Sequence, residues 1–190
     1  MEKLSYHHGN LKQELILAGL KLIEEEGISR LSLRRAAAMC GVSHAAPKNH
    51  FRDKEEFAEA VKNYVTEEFT RYLQEVIDQN RNKEELIRDM GRAFVRFFKD
   101  YPQSFSLITN QKNICISMSE HKIEKSNYVP FEMFVEQAGP VLRSRGVKEN
   151  ELAQKILELW AMVCGLAGIY VMQGFHYEGD WMEMVNKIIY

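Results

Sequence analysis

The chain has 190 residues, a formal net charge of −2 from 25 Lys/Arg and 27 Asp/Glu, and 45% hydrophobic and 11% aromatic residues. This composition can bury the core of one or two domains and excludes a disordered or strongly polyionic chain. Cys40, Cys115 and Cys164 form no CxxC pair, which argues against a disulfide framework and reads as reduced thiols in a cytoplasmic protein. No basic-then-apolar leader opens the sequence, in line with that expectation.

Nearly every segment carries a helical period. Leu11, Leu15, Ala18, Gly19, Leu22 and Ile23 form one apolar stripe ending at Gly27. Ser32 is placed to cap a second helix bearing Leu33, Ala36, Ala37 and Cys40, and Gly41 to end it. Ser43 then precedes a helix from about His44 to His50, with Pro47 at the edge of its first turn. Phe51 returns the chain to the core. Asp53 caps a long helix over about 54–79 that carries Phe57, Val61, Tyr64, Val65, Phe69, Tyr72, Leu73 and Val76. Asn82 and Glu85 make a capping-box-like start for a helix through Leu86, Met90, Ala93, Phe94, Phe97 and Phe98, which Tyr101-Pro102 stops. A shorter helix passes through Phe105 and Ile108. Residues 112–127 show no clear period and read as loop or frayed helix. One helix covers about 130–145 and stops at Gly146, and the longest apolar helix covers about 149–174. Asp180 caps a last helix with Trp181, Met184, Val185 and Ile188. Strand patterns and internal repeats are absent, so an all-α fold is expected. The uncharged stretch Leu159–Tyr177 is long enough to cross a bilayer. Its Gln173, His176 and late glycines, with Glu158 just before, argue against that, and no membrane association is expected.

The segment with the most functional content is Leu31–Lys54. Two short helices split by Gly41-Val42-Ser43 have the layout of a helix-turn-helix. Residues 1–54 hold nine Lys/Arg against six Asp/Glu and four of the six His, while the remainder holds 16 against 21. The near-neutral total therefore hides a basic end, the footprint of phosphate binding. Spacing and charge alone fit an ordinary helical hairpin with a solvated face equally well.

The run His8-Gly9-Asn10-Leu11, then EEEGISRLSLRRAAAMCGVS, then His50-Phe51-Arg52-Asp53-Lys54-Glu55 adds a more specific signal. In order and spacing, residues 7–57 resemble the N-terminal domain of the TetR family of bacterial transcriptional regulators. One departure is visible: the family usually has Tyr four residues before the equivalent of Arg52, and Lys48 stands there. Lys48 can meet a phosphate but is no rigid aromatic. The resemblance implies a three-helix DNA-binding domain over 1–54, a helical regulatory and dimerisation domain over 55–190, and a homodimer on a double-stranded operator. Arg34, His44, Ala45 and Asn49 are then expected to carry sequence preference. Ser32, Ser43, Lys48, His50 and Lys54 complete the expected DNA contacts, mainly to phosphates.

The later run Leu159-Trp160-Ala161-Met162-Val163-Cys164-Gly165-Leu166-Ala167-Gly168 is apolar on nearly all sides and needs cover on all sides. A partner subunit is the natural cover. Gly165 and Gly168 would let a second backbone approach, and Trp160, Val171, Trp181, Val185 and Ile188 complete the expected dimer face. This run resembles a C-terminal class of TetR-like regulators marked by Trp, three residues, then His-Gly. Trp160 and Gly165 fit, as do Tyr101-Pro102 and Phe105, but Cys164 replaces the His. Phe94, Phe97, Phe98, Phe105, Phe134 and Trp160 are expected to border a pocket for a small apolar or weakly polar effector.

Other features point to little chemistry. His7, His8, His44 and His50 lack a Cys or carboxylate at ligand spacing, so no metal is expected. Glu24-Glu25-Glu26 reads as a solvated helix face. With no nucleophile–base pair or phosphate loop, no catalytic residue or cofactor is expected. The reading is a homodimeric, ligand-responsive repressor released from a palindromic operator. The alternatives are a DNA-binding regulator governed by a protein partner, and a small all-α enzyme.

Overall fold

The computed structural model of the chain describes residues 10–80, 83–109, 111 and 113–189. Among them run α1 (Leu11–Glu26), α2 (Leu33–Met39), α3 (Lys54–Gln79), α4 (Lys83–Asp100), α5 (Pro102–Thr109), α6 (Val129–Ser144), α7 (Glu149–Val171) and α8 (Trp181–Ile188). A two-stranded antiparallel hairpin, β1 (Ile116–Met118) and β2 (Ile123–Ser126), separates α5 from α6. The fold is the expected all-α class with this small addition. Two compact units part between Val65 and Thr66, inside α3.

The first unit is built on α1, α2 and the start of α3. The Asn10 side chain accepts the Gln13 N–H at 3.3 Å and caps α1. The α1 stripe buries Leu15, Ile16, Ala18, Gly19, Leu22 and Ile23. Gly19 is required by close approach: a Cβ there would lie 2.6 Å from Phe57 and 3.0 Å from Val61. Gly41 ends α2 with φ 69°, its N–H bonded to the Ala38 carbonyl and the Val42 N–H to that of Ala37. This paired closure satisfies two otherwise orphaned helix carbonyls. Asp53 caps α3 through the Glu56 N–H at 2.7 Å, while the Glu56 carboxylate accepts from the Arg52 N–H at 2.8 Å. Phe51, 1% exposed, packs on Phe57 with ring centroids 5.0 Å apart.

Two local expectations need correcting here. Ser32 occupies the N-cap of α2 without a side-chain hydrogen bond; its carbonyl instead accepts the Ala36 N–H at 2.9 Å. The helix expected over His44–His50 is a 3-10 turn at Ala46–Asn49, entered through a turn at His44-Ala45. Pro47 is the physical reason. It has no N–H to donate back along an α-helix, and it pushes Ala46 away from the α region. The remaining bonds are short-range, Ala46 N–H to Ser43 and Lys48 N–H to Ala45, both at 3.1 Å.

The second unit centres on aromatic rings. Phe69 of α3, fully buried, lies 4.8–5.3 Å from Phe94, Phe97 and Phe98 of α4. Trp160 of α7 meets Phe94 at 5.3 Å and Phe131 of α6 at 5.1 Å. Asp180 caps α8 through the Met182 N–H at 2.7 Å, as expected. Trp181 then packs among Tyr170, Phe175 and Tyr177. The expected capping box at Asn82 lies outside the described residues. The longest apolar helix stops at Val171 rather than near 174, because the backbone turns extended at Met172.

The hairpin is a second departure, since residues 112–127 carried no strand pattern. Its strands are too short to show alternation, and the register shifts between Ser117 and Met118. A polar knot closes it. The Asn127 side chain accepts the Cys115 N–H and donates to the Asn113 carbonyl, both at 2.7 Å.

Two outcomes test this architecture. Gly19→Leu should destabilise the chain by ~1–3 kcal/mol through overpacking against Phe57, seen as an earlier midpoint in chemical denaturation; an unchanged midpoint would refute the α1–α3 approach. Burial raises the Cys40 thiol pKa and pushes that of Cys164 up to about 12, whereas Cys115 is exposed. Only thiolate reacts. A disulfide reagent near neutral pH should therefore label Cys115 in the folded chain, and Cys40 and Cys164 only after unfolding.

Candidate functional site

Arg30, Arg34, Arg35 and Lys54 line one concavity of the first unit, together with Ser29, Leu31, Ser32 and Leu33. The lining holds four cations and no carboxylate. It comes from the 3-10 turn Ile28–Arg30, the first turn of α2 and the first residue of α3. Arg35 is already engaged: Glu26 of α1 takes both its guanidinium ends, one of them at 2.9 Å. That contact holds the Glu26 carboxyl below the usual carboxylate range. Arg30, Arg34 and Lys54 are exposed, and Arg30 also helps lower the Glu26 carboxyl pKa. Such an open cationic surface can position a phosphate backbone.

The other expected DNA contacts cluster around the 3-10 turn. Ser43, His44, Ala45, Lys48 and Asn49 are exposed, His50 is half-buried and Pro47 is buried. The buried proline anchors the turn and leaves His44, Ala45, Lys48 and Asn49 facing outward. Ser32 and His50 are the two least accessible of the expected set. Ser29 and Arg30 were missed in the sequence. Their signal was present, since Arg30 precedes Ser32 and Arg34 at a spacing that a short turn closes into one groove. His7 and His8 lie outside the described residues.

In the second unit the expected pocket residues pack together, with Phe134 on Trp160 at 5.7 Å. Phe94, Phe97, Phe98, Phe105 and Trp160 pack against one another or against Phe69, with centroids 4.8–5.3 Å apart. A cavity of ≈ 440 Å³ lies elsewhere, between α4, α6, α7 and α8, and of the six aromatics only Phe134 lines it. The expected dimer residues divide. Trp181 and Val185 are buried in the chain's own core, and the bare face of Gly168 is turned to Phe105 at 3.4 Å. Trp160 and Val171 are half-buried, Trp160 with rings packed on one side, and Ile188 is 37% exposed. Gly165 has open space where a side chain would be.

A basic groove beside a helix-turn-helix layout, on a mostly helical chain, is a surface suited to a phosphate backbone. Residues 15–61 match the family model of bacterial regulatory proteins, tetR family. The chain is 25% identical over 175 residues to the nucleoid occlusion factor SlmA of Vibrio vulnificus, covering 89% of this chain and 88% of that one. Among solved structures, a protein of unknown function from Rhodococcus sp. RHA1 shares the fold with TM-score 0.77 and 21% identity, covering 98% and 95% of the two chains. The transcriptional regulator FadR of Bacillus subtilis, solved with stearoyl-CoA, shares it with TM-score 0.68 and 14% identity over 94% and 95%.

The groove makes distinct demands on DNA binding. Arg34→Ala should cost ~1–3 kcal/mol and relax one base position if it reads a guanine. Arg30→Ala and Lys54→Ala should weaken all sequences alike and each lower the salt slope by about one. Anisotropy titrations at several salt concentrations check this; native slopes in both phosphate variants would remove the groove from the interface.

Proposed function

We propose that the chain is a homodimeric repressor, held on a palindromic operator and released by a small molecule bound in its second unit. The observation that carries the reading is that one chain joins two dissimilar surfaces: an exposed basic groove in the first unit and an apolar cavity in the second. Helix α3 begins at Lys54 in the groove and ends in the second unit beyond Phe69. It is therefore the covalent route by which occupancy of the cavity would reach the DNA face. A ligand lowers operator affinity only by its differential affinity for the two states. FadR, whose structure contains stearoyl-CoA, supports a ligand-binding second unit. Nothing in this reading calls for catalysis, and the site of action is the cytoplasm.

The dimer face of the proposal follows the exposed side of α7. Leu157, Ala161, Gly165 and Ile169 recur every four residues on one exposed helix face. Leu157 is 49% and Ile169 41% exposed. Gly165 leaves room there for a second backbone, which supports a helix-on-helix contact with another copy. The second unit is read as a variant of the Trp-xxx-His-Gly class, with Trp160 at the hub of its rings and Cys164 in place of the histidine. Dimers of this type read half-sites about 34–36 Å apart.

A second reading keeps DNA binding and replaces the small molecule with a protein partner. It draws on the relatives named nucleoid occlusion factors, which span 89% of this chain.

Sedimentation and operator anisotropy test these readings together. The native chain should sediment as a dimer at micromolar concentration and bind DNA flanking its own gene. Gly165→Arg should shift it toward monomer and weaken operator binding. A native monomer that binds a palindrome tightly would overturn the dimer. If a protein partner but no compound changes operator affinity, the second reading replaces the first.

A further inference from the structure

We infer that the cavity of the second unit takes an anionic amphiphile, an aliphatic chain with a carboxylate or phosphate-bearing headgroup. The inference rests on the ligand-responsive reading above and names its ligand class.

The walls of the cavity are aliphatic, with Ile87, Val141, Leu159, Met162, Val163 and Ile188 contributed by α4, α6, α7 and α8. Phe134 is its one aromatic lining residue. A flat aromatic ligand would find a single ring to stack on. A flexible chain can follow aliphatic walls and gain dispersion along its whole length. The volume of ≈ 440 Å³ suits a small ligand.

Charge decides the headgroup. Arg88, Arg145 and Lys155 line the same cavity, and no carboxylate does. Lys155 is paired with Glu158 at 2.6 Å. Arg88 is different: its Nε is buried without a hydrogen-bond partner, and its guanidinium lies 3.9 Å from Glu85. A buried donor left unpaired is costly. Arg145, at the C-cap of α6, is exposed and forms no ion pair among the described residues. Two guanidinium groups thus border one apolar hollow with donors free. Their planar forks match the oxygens of a carboxylate or phosphate. The neutral effector expected from the sequence assumed that few charges faced inward. That expectation rested on the α4 aromatics and Trp160, which pack against each other, whereas the cavity is bordered by Arg88 and by the far end of α6.

The test uses the full chain and isothermal calorimetry with four probes below their micellar concentrations: dodecanoate, dodecanoyl-coenzyme A, dodecanol and dodecyltrimethylammonium. Dodecanoate or dodecanoyl-coenzyme A should bind at least about tenfold tighter than dodecanol and the cationic probe. Whichever of the two anions binds tighter identifies the headgroup. Arg145→Ala and Arg88→Ala should each weaken the anion by about three- to tenfold while leaving dodecanol unchanged. Arg145 is exposed, so its variant keeps the test valid if Arg88→Ala fails to fold. Leu159→Trp should block every probe. Equal affinity for acid and alcohol, native anion affinity in Arg145→Ala, or no binding by any probe overturns the inference. Operator anisotropy on the same samples separates the two claims. Anion binding with unchanged operator affinity upholds the ligand class and overturns the ligand-responsive reading. A neutral inducer that acts while no anion binds does the reverse.

Discussion

The packing of α3 at two points along its length is the constraint on which the rest depends. Near its start, Phe57 fills the space over Gly19 of α1, where even a methyl group would clash. About 18 Å of helix later, on the 1.5 Å rise per residue, Phe69 is packed by three phenylalanines of α4. Each station is held by close-packed rings within its own unit, and interiors at this density do not deform continuously. Each compact unit has its own core, and α3 contributes to both.

The elements most legible in the sequence were those defined by long period or by chemistry at a helix end. The limits of α3, the stripe of α1, the cap at Asp53 and the cap at Asp180 follow from spacing and side-chain oxygens alone. The misses are local. Pro47 converted an expected helix into a 3-10 turn, because the backbone donor it removes outweighed the weak helical pattern around it. The hairpin escaped notice because strands of three and four residues cannot display a period of two.

The two candidate sites were unequally readable for a physical reason. A DNA face is exposed and charged, so its residues announce themselves by type, and the groove at Arg30, Arg34 and Lys54 needed only one further residue pair to be complete. A cavity is an absence of atoms, and composition does not reveal where packing fails. Phe94, Phe97, Phe98 and Trp160 looked like pocket walls because they are large and clustered. Size and proximity are also what let rings fill each other's spaces edge to face. The gap opens where aliphatic chains from four helices meet less closely.

Under the proposed DNA-binding reading, Pro47 has a consequence for how sequence would be recognised. It pins the turn from beneath, with its ring buried and its backbone angle fixed before any DNA arrives. Lys48 and Asn49, inside the 3-10 turn, are therefore displayed about 120° apart rather than 100°, while His44 and Ala45 precede it in a turn. On that reading, moving these side chains onto an α-helical recognition element would change the angles at which they are presented, so side-chain identity alone would not carry the preference over.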